Sequence, residues 1–214
     1  WLEENVRPIF EQKQRELASR MKPRAKWGYF WCNSEGNDLI IYHEDQKTER
    51  QRFNFPRQRD MRRQCLADFF LPVEGGLKDV VAFHLVTVGE EVTEYERSLF
   101  AKGDFQDYLY VHGMGVETAE ALAEYWHQQI RREMGIDDQE PEDMRLLFSA
   151  KYHGARYSFG YPACPNLEDQ AKLFELLQPE DLGVALTEEF MIAPEQSTSA
   201  IIVHHPEAKY FNIR

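Results

Sequence analysis

The sequence predicts an α+β fold with a largely antiparallel sheet, on three observations. Strand-like period clusters early (26–88) and late (186–213). Helical period fills the stretch between them, from Thr93 to about Met134. No G-x-G-x-x-G follows a strand, and no P-loop, H-E-x-x-H or G-x-S-x-G is present, so a doubly wound nucleotide fold is not indicated. No composition break divides the chain. It reads as one domain over 1–214, with 1–25 as a helical segment leading into it.

The elements follow in order. Val6, Phe10, Leu17 and Met21 mark one face of a first helix, which Pro8 interrupts. Trp27–Cys32 and Asp38–Tyr42 are aromatic and β-branched around the turn chemistry of Asn33–Asn37, and predict a hairpin. A third strand covers Glu49 to Phe55 and stops at Pro56; Cys65–Phe70 and Val80–Val88 read as two more. The long helix carries Val116, Ala119, Leu122, Ala123 and Trp126 as its buried stripe, and Gly135 ends it. Asp137–Glu142 is a polar linker and Met144–Phe148 a short helix or turn. A helix near Leu167–Leu177 precedes extended segments at Leu186–Ile192, Thr198–His204 and Lys209–Ile213.

Composition excludes several classes. Apolar residues make up 43% and aromatics 13%, far from a disordered acidic chain. A formal charge of −12, from 25 Lys and Arg against 37 Asp and Glu, argues against wholesale binding of nucleic acid or an anionic membrane. Cys32, Cys65 and Cys164 form no C-x-x-C pair and no disulfide framework, which fits a reducing compartment, most simply the cytoplasm. No run approaches the roughly 18 apolar residues that span a bilayer. The start, Trp1-Leu-Glu-Glu, is neither an initiator Met nor a signal peptide, and the chain reads as a piece of something longer.

The stretch from Arg156 to Pro165 stands out. One glycine, two prolines and three aromatics predict an irregular, stiff loop. Arg156 there offers a planar fork for a carboxylate or phosphate, Gly160 allows close approach to the backbone, and Tyr161 offers a flat face. The bland alternative is a structural loop whose arginine pairs with a surface acid. Glu120 alone reads as a solvated helix residue, Asp38 as a turn acid, and Tyr210 and Phe211 as packing residues of a last strand. His204-His205 would point to opposite faces of a strand end, which disfavours a shared metal. The basic run Arg57–Arg63 reads as a solvated face or a docking patch for an acidic partner.

The chain as a whole resembles the activation domain of cobalamin-dependent methionine synthase. The resemblance is carried by Arg156-Tyr-Ser-Phe-Gly-Tyr-Pro-Ala-Cys-Pro165, which matches that family's R-x-x-x-G-Y-P-A-C-P. Cys65-Leu-Ala-Asp-Phe69, Ala123-Glu-Tyr-Trp-His127, Leu186-Thr-Glu-Glu-Phe190 and His205-Pro-Glu-Ala-Lys-Tyr210 support it, in order along the chain. It implies a C-shaped, non-Rossmann α+β domain, a twisted antiparallel sheet with flanking helices, that binds S-adenosylmethionine in a shallow groove and supports reductive methylation of cob(II)alamin to methylcobalamin. Cobalamin would be held by a neighbouring domain, the electron would come from flavodoxin or a flavoprotein reductase, and zinc would belong to modules absent from this chain.

Carried over by residue, the resemblance implies that Asp38 contacts the ligand's amino group or ribose and Glu120 complements its positive end. Arg156 would hold its carboxylate, and Ser158 and Gly160 would present backbone atoms to the adenine. Tyr161, Tyr210 and Phe211 would shape the aromatic wall near ribose and sulfonium. Ala150 stands where some relatives carry an acid, Ser158 replaces a smaller residue, and Phe211 stands where a second tyrosine can occur. The alternative is a docking module for the cobalamin domain and redox partner that binds no ligand of its own.

Overall fold

The computed structural model describes residues 1–60, 62–138 and 140–213. Met61 in the basic run, Gln139 in the polar linker and Arg214 lie outside them. In chain order the elements are α1 (Arg7–Ala18), β1 (Arg24–Glu35), β2 (Asp38–Tyr42), β3 (Glu49–Asn54) and β4 (Asp79–Thr87). They continue with α2 (Glu90–Lys102), α3 (Phe105–Glu133), α4 (Met144–Phe148), β5 (Ala155–Ser158) and α5 (Asp169–Leu177). Last come β6 (Ala185–Leu186), β7 (Ile192–Ala193) and β8 (Ser197–Val203).

Six strands form one antiparallel sheet in the order β3-β2-β1-β4-β8-β5, and β6 and β7 form a small separate ladder. Side chains alternate across this sheet as a period of two requires. On one face Val81, Phe83 and Leu85 of β4 and Ile201 and Val203 of β8 join Phe53, Phe55 and the Leu173, Phe174 and Leu177 stripe of α5 in the main core. On the other face Ala82 and Ile202 meet Ile130 of α3, beside Trp27. Trp27 also packs on Trp126 at 4.2 Å. A further cluster, Leu17, Val88, Val92, Leu99, Val111 and Ala119, ties α1 and α2 to α3. Among the described residues, no helix is long and apolar enough to cross a membrane.

The structure departs from the sequence reading at five places. Residues 65–70 are not a strand: Leu66–Phe69 is a 3-10 turn. Asp68 accepts from the Cys65 N–H at its start and takes both terminal nitrogens of Arg57 at 2.6 and 2.7 Å, so local side-chain bonds outbid a ladder. The long helical run breaks at Gly103, whose φ of +80° caps α2 before α3 begins. The buried stripe of α3 is Val111, Gly115, Ala119, Ala123, His127 and Ile130. Val116, Leu122 and Trp126 flank it, because small residues let the helix sit close on its neighbours. Arg156–Ser158 belongs to edge strand β5 rather than to a loop, and Tyr210 and Phe211 lie in irregular chain after β8.

All three cysteines are free and buried. Burial pushes the Cys164 thiol up to about 12, and Cys164 donates to the Ser158 carbonyl at 2.9 Å.

Gly154 leads the chain into β5 with φ +80°, and a Cβ there would sit 2.6 Å from the Val203 carbonyl oxygen. Gly154→Ala should therefore cost about 1–3 kcal/mol through strain alone. A urea titration reads this as a lower midpoint at unchanged slope, and an unchanged midpoint would contradict the account of the β5 entry.

Candidate functional site

The site follows from the register of β5 on β8. Arg156 pairs with Ile202, which pairs with Ala82, so all three point to the face that α3 covers. Tyr157, one residue on, points into the main core. Its hydroxyl donates to the Lys209 carbonyl at 2.9 Å and fixes the segment after β8. Lys209 Nζ donates to the Tyr152 carbonyl at 2.6 Å, and Phe211 buries its ring against Tyr157 and Phe69. With its neighbours on both sides anchored, Tyr210 is left exposed at the cleft.

On α3, Glu117, Glu120 and Glu124 are spaced by three and four residues and share one helix face. Arg156 Nη2 donates to Glu120 Oε2 at 2.8 Å and its Nε lies 3.4 Å from Glu124 Oε2. Tyr152 donates to the same Glu124 oxygen at 3.3 Å. Between α3, β5 and the Tyr161–Cys164 turn opens a cleft of about 470 Å³, lined also by Leu147, Ala150, Ser158 and Tyr210. A smaller recess of about 230 Å³ shares Glu120, Ser158 and Tyr161 with it and runs toward Gln170 and Ser199.

The electrostatics are set by burial and pairing. Burial alone would lower the Arg156 pKa, but Glu120 and Glu124 overcome it and raise it, so the guanidinium is a permanent cation. Burial alone would raise the Glu124 carboxyl; His127, Arg156 and Arg131 outweigh it and hold it at about 2. Burial lowers His127 to about 4 and His84, on the same face of the sheet, to about 3. The cleft thus offers one fixed guanidinium beside an exposed carboxylate, with two exposed tyrosines, Tyr161 and Tyr210, at its rim. That arrangement suits a small zwitterion, with an anionic end at Arg156 and a cationic end at Glu120 and Glu117.

Of the residues singled out in the sequence, Glu120, Arg156, Ser158, Tyr161 and Tyr210 come together here. Asp38 does not. It lies on β2, four strand positions from β5, which at ~4.8 Å per strand is ~19 Å away. Its carboxylate is held by Asn54 at 2.5 Å and by Arg52 at 3.0 Å. Phe211 is core, not wall. Gly160 builds the turn, with φ +89° and its N–H donating to the Cys164 carbonyl at 2.9 Å, and is not part of the lining. The Ser158 carbonyl is likewise engaged by Cys164.

Glu117, Glu124, Tyr152 and Leu147 were not singled out as site residues. The spacing of the three glutamates was the available signal. His204 and His205 turn to different partners: His204 lies 2.7 Å from Asp79 Oδ1, and His205 packs on Phe69. Among the described residues, Glu96, His112 and Glu195 bring candidate ligand atoms within 4.8 Å of one another, outside the main cleft.

Fold and cleft together define a non-Rossmann α+β domain that presents a charged, ligand-sized groove between one helix and an edge strand. The chain belongs to the family described as "Vitamin B12 dependent methionine synthase, activation domain", whose model matches residues 4–214. It is 48% identical over 199 residues to methionine synthase of Mycobacterium tuberculosis (strain ATCC 25618 / H37Rv), covering 87% of this chain and 17% of that protein. With methionine synthase of Mycobacterium leprae (strain TN) it shares 47% over 201 residues, covering 87% and 16%. The chain thus spans about a sixth of the length of these curated relatives. A crystal structure of the MetH reactivation domain bound to AdoHcy matches with a TM-score of 0.91 at 29% identity, over 98% of this chain and 67% of that one.

The buried groups behind the cleft predict acid sensitivity. Below the ordinary histidine value of 6.5 the unfolded chain binds protons that His127 and His84 refuse until about 4 and about 3. Below 4.5 the same holds for Glu124 down to about 2. For these three groups the unfolded state binds more protons, so their contribution to stability is full above 6.5 and falls as pH drops. Urea midpoints should decline on acidification, and Glu124→Gln should remove the steepening at the acid end. A flat profile down to a pH of about 4 would refute the burial of these groups.

Proposed function

We propose that this chain binds S-adenosylmethionine in the cleft between α3 and β5 and acts as the reactivation module of a cobalamin-dependent methionine synthase. The observation that carries the reading is Arg156, fixed by Glu120 and Glu124 at the head of a groove with an acidic wall and an aromatic rim. The ligand's α-carboxylate suits the guanidinium edge, and its ammonium and sulfonium suit Glu120, Glu117 and the faces of Tyr210 and Tyr161. The solved relative is bound to AdoHcy, the product left when S-adenosylmethionine gives up its methyl.

In this role residues 1–214 work as one domain and need no general base. The sulfonium methyl passes to cobalamin carried by a neighbouring domain, after one electron arrives from flavodoxin or a flavoprotein reductase. What this chain contributes is position: it fixes the ligand's charged end so that the methyl meets its acceptor at high effective concentration. The module works in the cytoplasm, where its thiols stay reduced. Homocysteine and folate are handled by other parts of the enzyme, so this chain alone makes no methionine.

Calorimetry with S-adenosylmethionine, with ATP as control, tests the reading. One-to-one binding is expected, and Arg156→Ala should weaken it by about 2–4 kcal/mol, roughly 30- to 700-fold. Tyr210→Ala should cost less, about 0.5–1.5 kcal/mol, as loss of one exposed aromatic face. A folded chain that binds nothing at millimolar ligand would leave only the docking role.

A further inference from the structure

Arg131 lies on α3 two helical turns beyond Glu124 and is fully buried. Its Nε donates to Glu140 Oε1 at 2.5 Å, and its guanidinium lies over the Tyr152 ring at 3.6 Å. Its Nη1 is 3.7 Å from Glu124 Oε1. Among the described residues, neither Nη1 nor Nη2 has a hydrogen-bond partner. A buried cation with two unbonded nitrogens is costly, and an apolar side chain of similar length would fill the space more cheaply. Stability does not account for it.

Its place in the charge pattern does. From the linker to the cleft the charges alternate: Glu140, Arg131, Glu124, Arg156, Glu120. Were Glu124 paired with Arg156 alone in this low-dielectric wall, it would draw the guanidinium away from the cleft. Arg131 Nη1 forms an ion pair, without a hydrogen bond, to the opposite oxygen of Glu124, so the carboxylate is shared between two cations and pulls less on Arg156. The Tyr152 ring beneath and Glu140 beyond hold Arg131 in that position.

We infer that Arg131 is a positioning residue: by sharing Glu124 it leaves the Arg156 fork free to face the carboxylate of the bound ligand. This rests on the S-adenosylmethionine reading given above. Arg131 touches no ligand, so its effect is confined to the carboxylate-dependent part of recognition.

The test compares S-adenosylmethionine with its decarboxylated form by calorimetry. Wild-type protein should prefer the carboxylated compound, and Arg131→Met should erode that preference about tenfold or more while leaving affinity for the decarboxylated compound within about twofold. Arg131→Lys should restore most of the preference. If Arg131→Met does not fold, Glu124→Gln and Glu124→Gln/Arg131→Met carry the test, because the double variant leaves only Glu140, which Gln128 still meets, without its cation. With Glu124 neutral, loss of Arg131 should shift the preference by no more than about twofold. Equal loss for both ligands, an unchanged preference in Arg131→Met, or a large shift with Glu124 neutral each overturns the inference. A wild-type protein that binds neither compound overturns the proposed function and this inference together; one that discriminates through Arg156 but not through Arg131 overturns the inference alone.

Discussion

Four residues of edge-strand pairing organise the cleft. Ala155–Ser158 add to the outer side of β8, and the register decides which side chains face α3. A slip by one residue would drive the Arg156 guanidinium into the apolar core and swing Tyr157 toward the glutamates. The pairing is specified from both faces: Tyr157 is bonded to the Lys209 carbonyl beneath, and Arg156 is bonded to α3 above. Core packing and site geometry are thus one constraint, and the same register that buries Tyr157 aims Arg156.

The cleft presents charge through side chains instead of a glycine loop. In nucleotide folds of the Rossmann type, backbone N–H groups and a helix N-terminus receive a phosphate. Here the Gly160 N–H is used up in its own turn, and an arginine on a strand meets glutamates in the middle of a 29-residue helix. Such a site depends on the roll of α3 against the sheet. The small residues Gly115, Ala119 and Ala123 set that distance: a Cβ on Gly115 would come within 2.7 Å of Gln196 Cγ.

Much of this was legible in the sequence. The β1–β2 hairpin, β3, β4, β8 and the helical middle all carry clear periodicity, and Arg156, Glu120, Tyr161 and Tyr210 line one cleft. The misreadings have physical causes. Residues 65–70 are as apolar as a strand, but the Asp68 side chain caps a turn there, and periodicity does not register a side-chain bond. Asp38 opens a strand as a binding acid could, yet Arg52 and Asn54, sixteen residues or fewer further on, take its oxygens. Phe211 and Tyr210 are adjacent aromatics in irregular chain, and only the packing against Phe69 separates the buried ring from the exposed one. Glu124 and Arg131 escape a sequence reading because their roles come from partners 32 and 9 residues away.

The three buried thiols bear on how the domain can be observed. Cys32, Cys65 and Cys164 are withdrawn from solvent and pushed toward the protonated form, chiefly by burial, so a maleimide meets no reactive thiolate on the folded surface. One cysteine introduced at an exposed rim position such as Lys151 would be the sole fast-reacting site. A fluorophore attached there would sit beside the cleft, where, under the proposed function, the corrin of a neighbouring domain, a strong visible absorber, would quench it. The protein's own sulfur chemistry thereby leaves an uncluttered background for following domain encounter by light.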